Sequence, residues 1–173
     1  MPLIGEPAPR FTLPDTAGAM HSLDGAPATV VVFTCNHCPY ALAWHDRLIA
    51  VAGDYAQQGV RMLAINPNDA ERYPRDSIDA MRARVEQGEF DGVPYLRDES
   101  QEVAHLYDAK TTPDVFVLDA DGSLRYRGAP DRDHDDPSQD AAWLRAALDA
   151  VLAGRMPDPD ETRPVGCSIK WRA

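Results

Sequence analysis

Thr29-Val30-Val31-Val32-Phe33-Thr34-Cys35-Asn36-His37-Cys38-Pro39-Tyr40 is the stretch on which the fold turns. The Thr29 to Phe33 run shows no polar alternation, so it reads as a strand buried on both faces, as strands of parallel sheets are. Two cysteines with a two-residue spacer then stand where the strand gives way to a helix. The first helical turn carries backbone N–H groups without intrahelical partners, and their partial positive charge favours a thiolate over a thiol at Cys35. Only the thiolate attacks a disulfide, so this placement predicts an activated Cys35. The spacer brings Cys38 back on the same turn, where it can close a disulfide or resolve a mixed one. Pro39 agrees, because a first-turn proline gives up an N–H that has no partner there anyway.

Working outward, Cys38 to about Gln58 carries apolar residues at Ala41, Leu48, Ala52 and Tyr55, the spacing of a helix that ends at Gly59. His45 falls on its apolar face, so a buried, hydrogen-bonded structural histidine is expected. Val60 to Asn66 is the next strand. Asp76 to Gly88 is a second helix, opened by Asp76 with Asp79 three residues on. A short helix from about Ser100 to Tyr107 follows. Asp114 to Leu118 and Ser123 to Arg127 flank Asp121-Gly122, a hairpin signal. A last helix runs from Ser138, its cap, to Gly154. Upstream, Phe11 to Leu13 and His21 to Leu23 read as an N-terminal hairpin. Hairpin, β-α-β, helical insertion, β-β hairpin and closing helix together predict an α/β fold, a central mixed β-sheet flanked by helices.

At 173 residues and 44% hydrophobic, the chain suffices for one domain. A domain of this size buries roughly 70% of its unfolded surface. It needs no structural disulfide. The net charge of −11 argues against nucleic acid and acidic membrane surfaces as partners. Met1 to Pro9 has neither a basic region nor a continuous apolar segment, so neither a secretory signal nor a membrane anchor is expected, and three cysteines suit a reducing, cytoplasmic setting.

These residues resemble the thioredoxin fold and, within it, the redoxin branch related to alkyl hydroperoxide reductase and thiol-specific antioxidant proteins, which carry the extra N-terminal hairpin. The resemblance covers roughly residues 5 to 154. More narrowly, Thr34 to Tyr40, Asn66-Pro67-Asn68-Asp69, Thr112-Pro113-Asp114 and the terminal Val165-Gly166-Cys167-Ser168-Ile169-Lys170-Trp171 look like a bacterial group of thioredoxin-like proteins. The expected organisation is therefore a redoxin domain at residues 1–154 and a Pro-rich extension at 155–173 docked on it, with Ile169 and Trp171 alternating as a short strand would.

The resemblance implies that Pro113 is cis and lies against the two cysteines, where adjacent backbone pairs with a substrate chain. Proline also belongs at a strand's first residue, since it has no N–H for a ladder. The implied site has Cys35, Cys38, His37 and Pro113 as catalytic residues and Thr34, Asn36, Thr112 and Pro113 against the substrate. Three departures stand out: Thr34 replaces the tryptophan before the first cysteine, and Thr29 and Ala41 stand where relatives use a buried acid. No carboxylate is then expected near Cys38.

His37 has two readings. A protonated imidazole beside the thiolate would favour the dithiol form and give a couple less reducing than thioredoxin's, which lies at about −270 mV. Otherwise it is an exposed turn residue. Cys167 is either a relay thiol reaching the active pair or a small buried hydrophobe holding the tail.

The reaction these features point to is thiol-disulfide exchange with protein or small-molecule disulfides, supported by a thiol reductant and no cofactor. A thiol-dependent peroxidase is the alternative. Its Pro-x-x-x-Thr-x-x-Cys signature is not met, since Val30 stands four before Thr34 and His37 three after. A copper or other metal module would use Cys35, Cys38 and His37, but Lys110-Thr111-Thr112 lack the further histidine such proteins have, so no metal is expected. Asp131 to Asp136 reads as a solvated loop, a cation site there lacking ligand-spacing support, and Arg127 reads as an exposed strand-end residue with a position facing the site as the alternative.

Overall fold

A computed structural model describes residues 2–173, so the N-terminal reading is assessed without Met1. In chain order the elements are β1 (Thr12–Pro14), β2 (Met20–Ser22), β3 (Ala28–Phe33), α1 (Pro39–Tyr55), β4 (Arg61–Asn66), α2 (Ile78–Glu86), β5 (Tyr95–Arg97), α3 (Glu102–Leu106), β6 (Thr111–Thr112), β7 (Asp114–Asp119), β8 (Leu124–Gly128), α4 (Ala142–Leu152) and β9 (Cys167–Ser168). The central sheet has the order β5-β4-β3-β7-β8. β4 runs parallel to β3 and β5, while β7 is antiparallel to both β3 and β8. This is the mixed thioredoxin-like sheet the chain's alternation of elements implies.

All of β3 is buried because helices or loops cover both faces of the sheet. Val30 and Val32 point into a core with Trp44, Leu48 and Val51 of α1, Met81 of α2 and Leu144 and Leu148 of α4. Val31 and Phe33 point the other way, into a core closed by Phe11, Leu23, Val103 and Ala104, and by Ile169 of the tail. The tail is thus part of the second core.

α1 gives way to a short 3-10 turn at Ala56–Gln58, which Gly59 ends at φ 83°. Only glycine takes that left-handed conformation cheaply.

Two caps differ from expectation. α2 is opened by Ser77, whose Oγ accepts from the Ala80 N–H at 3.1 Å, one residue after the expected Asp76. Asp76 ends a preceding 3-10 turn with its side chain fully buried. α4 begins after Ala141 at φ 64°, and the Ser138 hydroxyl donates to Asp136 instead.

Two readings of charged residues are also corrected. Asp131 is buried, accepting from Trp44 Nε1 at 2.8 Å and from the Ala141 N–H at 2.9 Å while paired with Arg47 at 3.0 Å. The Asp131 to Asp136 loop is therefore solvated only in part. Arg127 is buried with its guanidinium 4.8 Å above the Phe116 ring, because the tail crosses the end of β8 where solvent was expected.

Candidate active site

The Cys35 and Cys38 loop hangs between the C-terminal end of β3 and the first turn of α1, held by the Thr34 N–H to the Ile65 carbonyl at 2.8 Å. The two thiols are free and, with Ala41, form a small buried cluster of their own. Across from them lies Thr112, followed by a cis peptide bond to Pro113. Thr112 touches both sulfurs: its Oγ1 is 3.3 Å from Cys35 Sγ and its carbonyl oxygen 3.2 Å from Cys38 Sγ. Cys35, Cys38, Thr112 and Pro113 are therefore brought together as expected.

Thr34 and Asn36 are tied into the protein around the two cysteines. Thr34 is buried. Asn36 spends its polar atoms inside the protein: Oδ1 accepts from Tyr95 at 2.6 Å and from Arg84 at 3.0 Å, and Nδ2 donates to the Arg75 carbonyl at 2.8 Å. Its place is to fix the loop that carries the cysteines.

The helix mouth belongs to Cys38 and not to Cys35, because α1 starts at Pro39 and Cys38 is the residue that precedes it. Donors converge on the Cys38 sulfur. The Cys35 thiol comes first, followed by the Cys167 thiol and the Ala41 and Cys167 backbone N–H groups, and against burial they hold Cys38 down to about 4. The Thr112 carbonyl is the one nearby acceptor that favours a protonated Cys38, and these donors outnumber it. Cys35 is pushed up, first by donating a hydrogen bond to Cys38, then by burial and by the Asp76 carboxylate. The reduced pair thus shares one proton between two adjacent buried sulfurs.

A carboxylate does enter the site, which the sequence did not signal. Asp76 is fully buried and accepts three hydrogen bonds. Oδ1 accepts from the Asn36 N–H at 2.7 Å and Asn66 Nδ2 at 3.1 Å, while Oδ2 accepts from Asn68 Nδ2 at 3.0 Å and lies 2.6 Å from His37 Nδ1. His37 is half-buried between this carboxylate and Tyr73, whose ring is parallel to the imidazole at 5.9 Å. His37 is therefore no open turn residue, and it faces an acid. Cys35, His37 and Asp76 each offer a ligand atom within 4.8 Å of the others, three donors a thiophilic cation would need. His45 is buried as expected, with Nε2 2.6 Å from the Glu89 carbonyl, and burial lowers its basicity.

The backbone edge beside Pro113 is already paired. β6 and β9 form an antiparallel ladder in which Thr112 opposes Cys167 and Thr111 opposes Ser168. Cys167 packs against the Cys35 and Cys38 cluster. No helix is long and apolar enough to cross a membrane among the described residues.

Comparison with known proteins agrees with this architecture. The crystal structure of a hypothetical protein from Sinorhizobium meliloti 1021 is 38% identical with a TM-score of 0.92, covering 100% of this chain and 97% of its own. An uncharacterized conserved protein from Geobacillus kaustophilus is 41% identical with a TM-score of 0.91, covering 99% and 94%. A curated relative, the thiol:disulfide interchange protein DsbE of Allochromatium vinosum, is 27% identical over 133 residues, 73% of this chain, which spans 66% of that relative's length. A putative DsbE from Chlorobium tepidum shares the fold at a TM-score of 0.70 and 22% identity, covering 88% of this chain and 99% of its own. With residues 4–127 matching the AhpC/TSA family profile, the chain belongs to the AhpC/TSA family, within the thioredoxin-like redoxins.

Proposed function

We propose that this protein is a thiol-disulfide oxidoreductase acting through the Cys35/Cys38 couple. The observation that carries this reading is the pair of sulfurs at the mouth of α1, both in contact with Thr112 beside cis Pro113. The likeness to a relative named as a thiol:disulfide interchange protein supports it.

In the exchange, the ionised sulfur of the pair attacks one sulfur of a partner disulfide. A mixed S–S bond forms, the partner's bond breaks, and the departing sulfur takes up a proton. The second cysteine then loses its proton and attacks the mixed disulfide, closing Cys35–Cys38 and releasing the partner's other thiol. Two electrons pass to the partner, and the reverse sequence oxidises a dithiol. A thiol reductant returns the pair to the dithiol state. The attack belongs to whichever sulfur has given up the shared proton.

Membership of the AhpC/TSA family favours a second reading, thiol-dependent peroxide reduction. Its chemistry would fall to Cys35, which touches a threonine hydroxyl but is buried and keeps its proton. A protonated thiol reacts slowly with peroxide.

The deciding experiment offers the reduced protein a protein disulfide and, separately, hydrogen peroxide in stopped flow. Catalysed disulfide reduction that is lost in both C35S and C38S is expected. Rapid peroxide consumption with the protein disulfide left intact would transfer the assignment to the peroxidase.

A further inference from the structure

We propose that Cys167 is a third redox cysteine of this site, the thiol through which the buried Cys35/Cys38 pair trades disulfides with its partner. The inference rests on the dithiol couple proposed above and adds to it a route to the surface. Cys35 and Cys38 are each only 1% exposed, whereas Cys167 is partly open to solvent. Cys167 is thus the most open of the three thiols to an approaching partner sulfur.

The tail is built to hold Cys167 there. It lies on Thr111–Thr112 as an extended peptide would, with Cys167 opposite the one residue that contacts both other sulfurs. Gly166 is required for that seat, because a Cβ on it would stand 2.3 Å from the Thr112 carbonyl oxygen. Beyond Cys167, Ile169 is buried in the second core, and Lys170 fixes the register through its N–H to Asn68 Oδ1 at 2.9 Å and its carbonyl to the Asp69 N–H at 2.8 Å. Those residues anchor the tail without help from a thiol. The Cys167 side chain instead packs against the Cys35 and Cys38 cluster, opposite Thr112.

The chemistry balances without a further reagent. From the Cys35–Cys38 disulfide, Cys167 gives up its proton and attacks Cys38; the Cys38–Cys167 bond forms, the Cys35–Cys38 bond breaks, and Cys35 takes the proton. No electrons are gained or lost. A partner dithiol then attacks Cys167, displacing Cys38 as a thiolate, and the partner's second sulfur closes its own disulfide and releases Cys167. The partner loses two electrons and the protein ends with three thiols. Cys38 stands at the N-cap of α1, where the helix mouth stabilises a departing thiolate.

The test uses the full chain oxidised with diamide and mapped by peptide mass. C35S is expected to form a Cys38–Cys167 disulfide in near-stoichiometric yield. C167S is expected to form Cys35–Cys38 normally yet to be reduced by dithiothreitol at least about tenfold more slowly than wild type, as loss of a positioned internal thiol predicts. Gly166→Ala, which keeps all three cysteines, should show the same slowing because its tail cannot seat. Absence of a Cys38–Cys167 disulfide in C35S, or wild-type reduction kinetics in C167S, overturns the inference while leaving the couple standing. Failure of the wild-type chain to form Cys35–Cys38 removes the couple itself.

Discussion

The carboxylate of Asp76 lies 2.6 Å from His37 Nδ1, beneath the turn that carries both active-site cysteines. The acid is fully buried and accepts three hydrogen bonds, two from asparagine side chains and one from the backbone N–H of Asn36. A carboxyl group so enclosed acts as a clamp on the loop and as a negative charge beside Cys35.

Replacing Asp76 with Asn therefore has two separable effects. The new amide turns N–H groups towards existing donors, and breaking such a buried charged network costs about 3–5 kcal/mol, visible as a lower midpoint in urea. It also removes one of the influences that hold the Cys35 proton in place, so in a C38A background the Cys35 thiol should ionise at lower pH than in C38A alone. An unchanged thiolate titration would mean that Asp76 serves the loop only.

Ionisation of the reduced pair sets the redox potential. A thiolate on Cys38 held down to about 4 stabilises the dithiol form relative to the disulfide, so the couple should be less reducing than thioredoxin's about −270 mV. Equilibration in glutathione buffers measures it. C167A, which removes the thiol packed against Cys38 and keeps the backbone N–H, should raise the pH at which the ultraviolet thiolate band appears and move the potential towards more reducing values. A potential at or below thioredoxin's would contradict this account.

The features visible in the chain before folding are those set by neighbours in sequence. The buried run at β3, the two cysteines at its end, the Asp121-Gly122 hairpin and the proline opening β7 each follow from local periodicity or from a proline or glycine rule, and all stand where expected. Asp76 was read as a helix cap because a cap and a buried acid one residue before it look alike in sequence. Ser77 shows the difference only once Asn36, Asn66 and Asn68 surround its neighbour. The same holds for the ladder between β6 and β9, two residues on each side and separated by more than fifty positions. No periodicity announces so short a pairing. The helix mouth falls at Cys38, the second of the two cysteines.

Asp131 gives a stability prediction independent of the redox chemistry. It receives Trp44 Nε1, the Ala141 N–H and the Arg47 guanidinium, and Arg47 also donates to the carbonyls of Asp133, His134 and Asp136. Asp131→Ala leaves a largely buried arginine without its counter-ion and should destabilise the fold by about 3–5 kcal/mol. The potential of the Cys35/Cys38 couple should stay at its wild-type value. A shift in potential alongside the loss of stability would show that α1 moves with this loop.

Asp114, directly after Pro113, makes stability depend on pH in the opposite sense to most carboxylates. It is fully buried, accepts from the Lys110 N–H at 2.9 Å, and lies 3.9 Å from Arg127, too far for the pair to offset the loss of water. Burial pushes it up to about 7 from an ordinary 3.8, and the Lys110 N–H and Arg127 reverse only part of that. The protonated acid is thus favoured by folding. Its contribution is complete below about pH 4 and declines as pH rises towards about 7, where the folded protein must hold a buried charge. A difference of this size corresponds to a few kcal/mol at most, on the order of 1.4 kcal/mol per unit. Asp114→Asn keeps an acceptor for the Lys110 N–H and never ionises, so urea unfolding of the variant should lose this part of the decline between those two pH values. A variant whose stability follows the wild-type curve across that window would show that Arg127 keeps Asp114 ionised throughout.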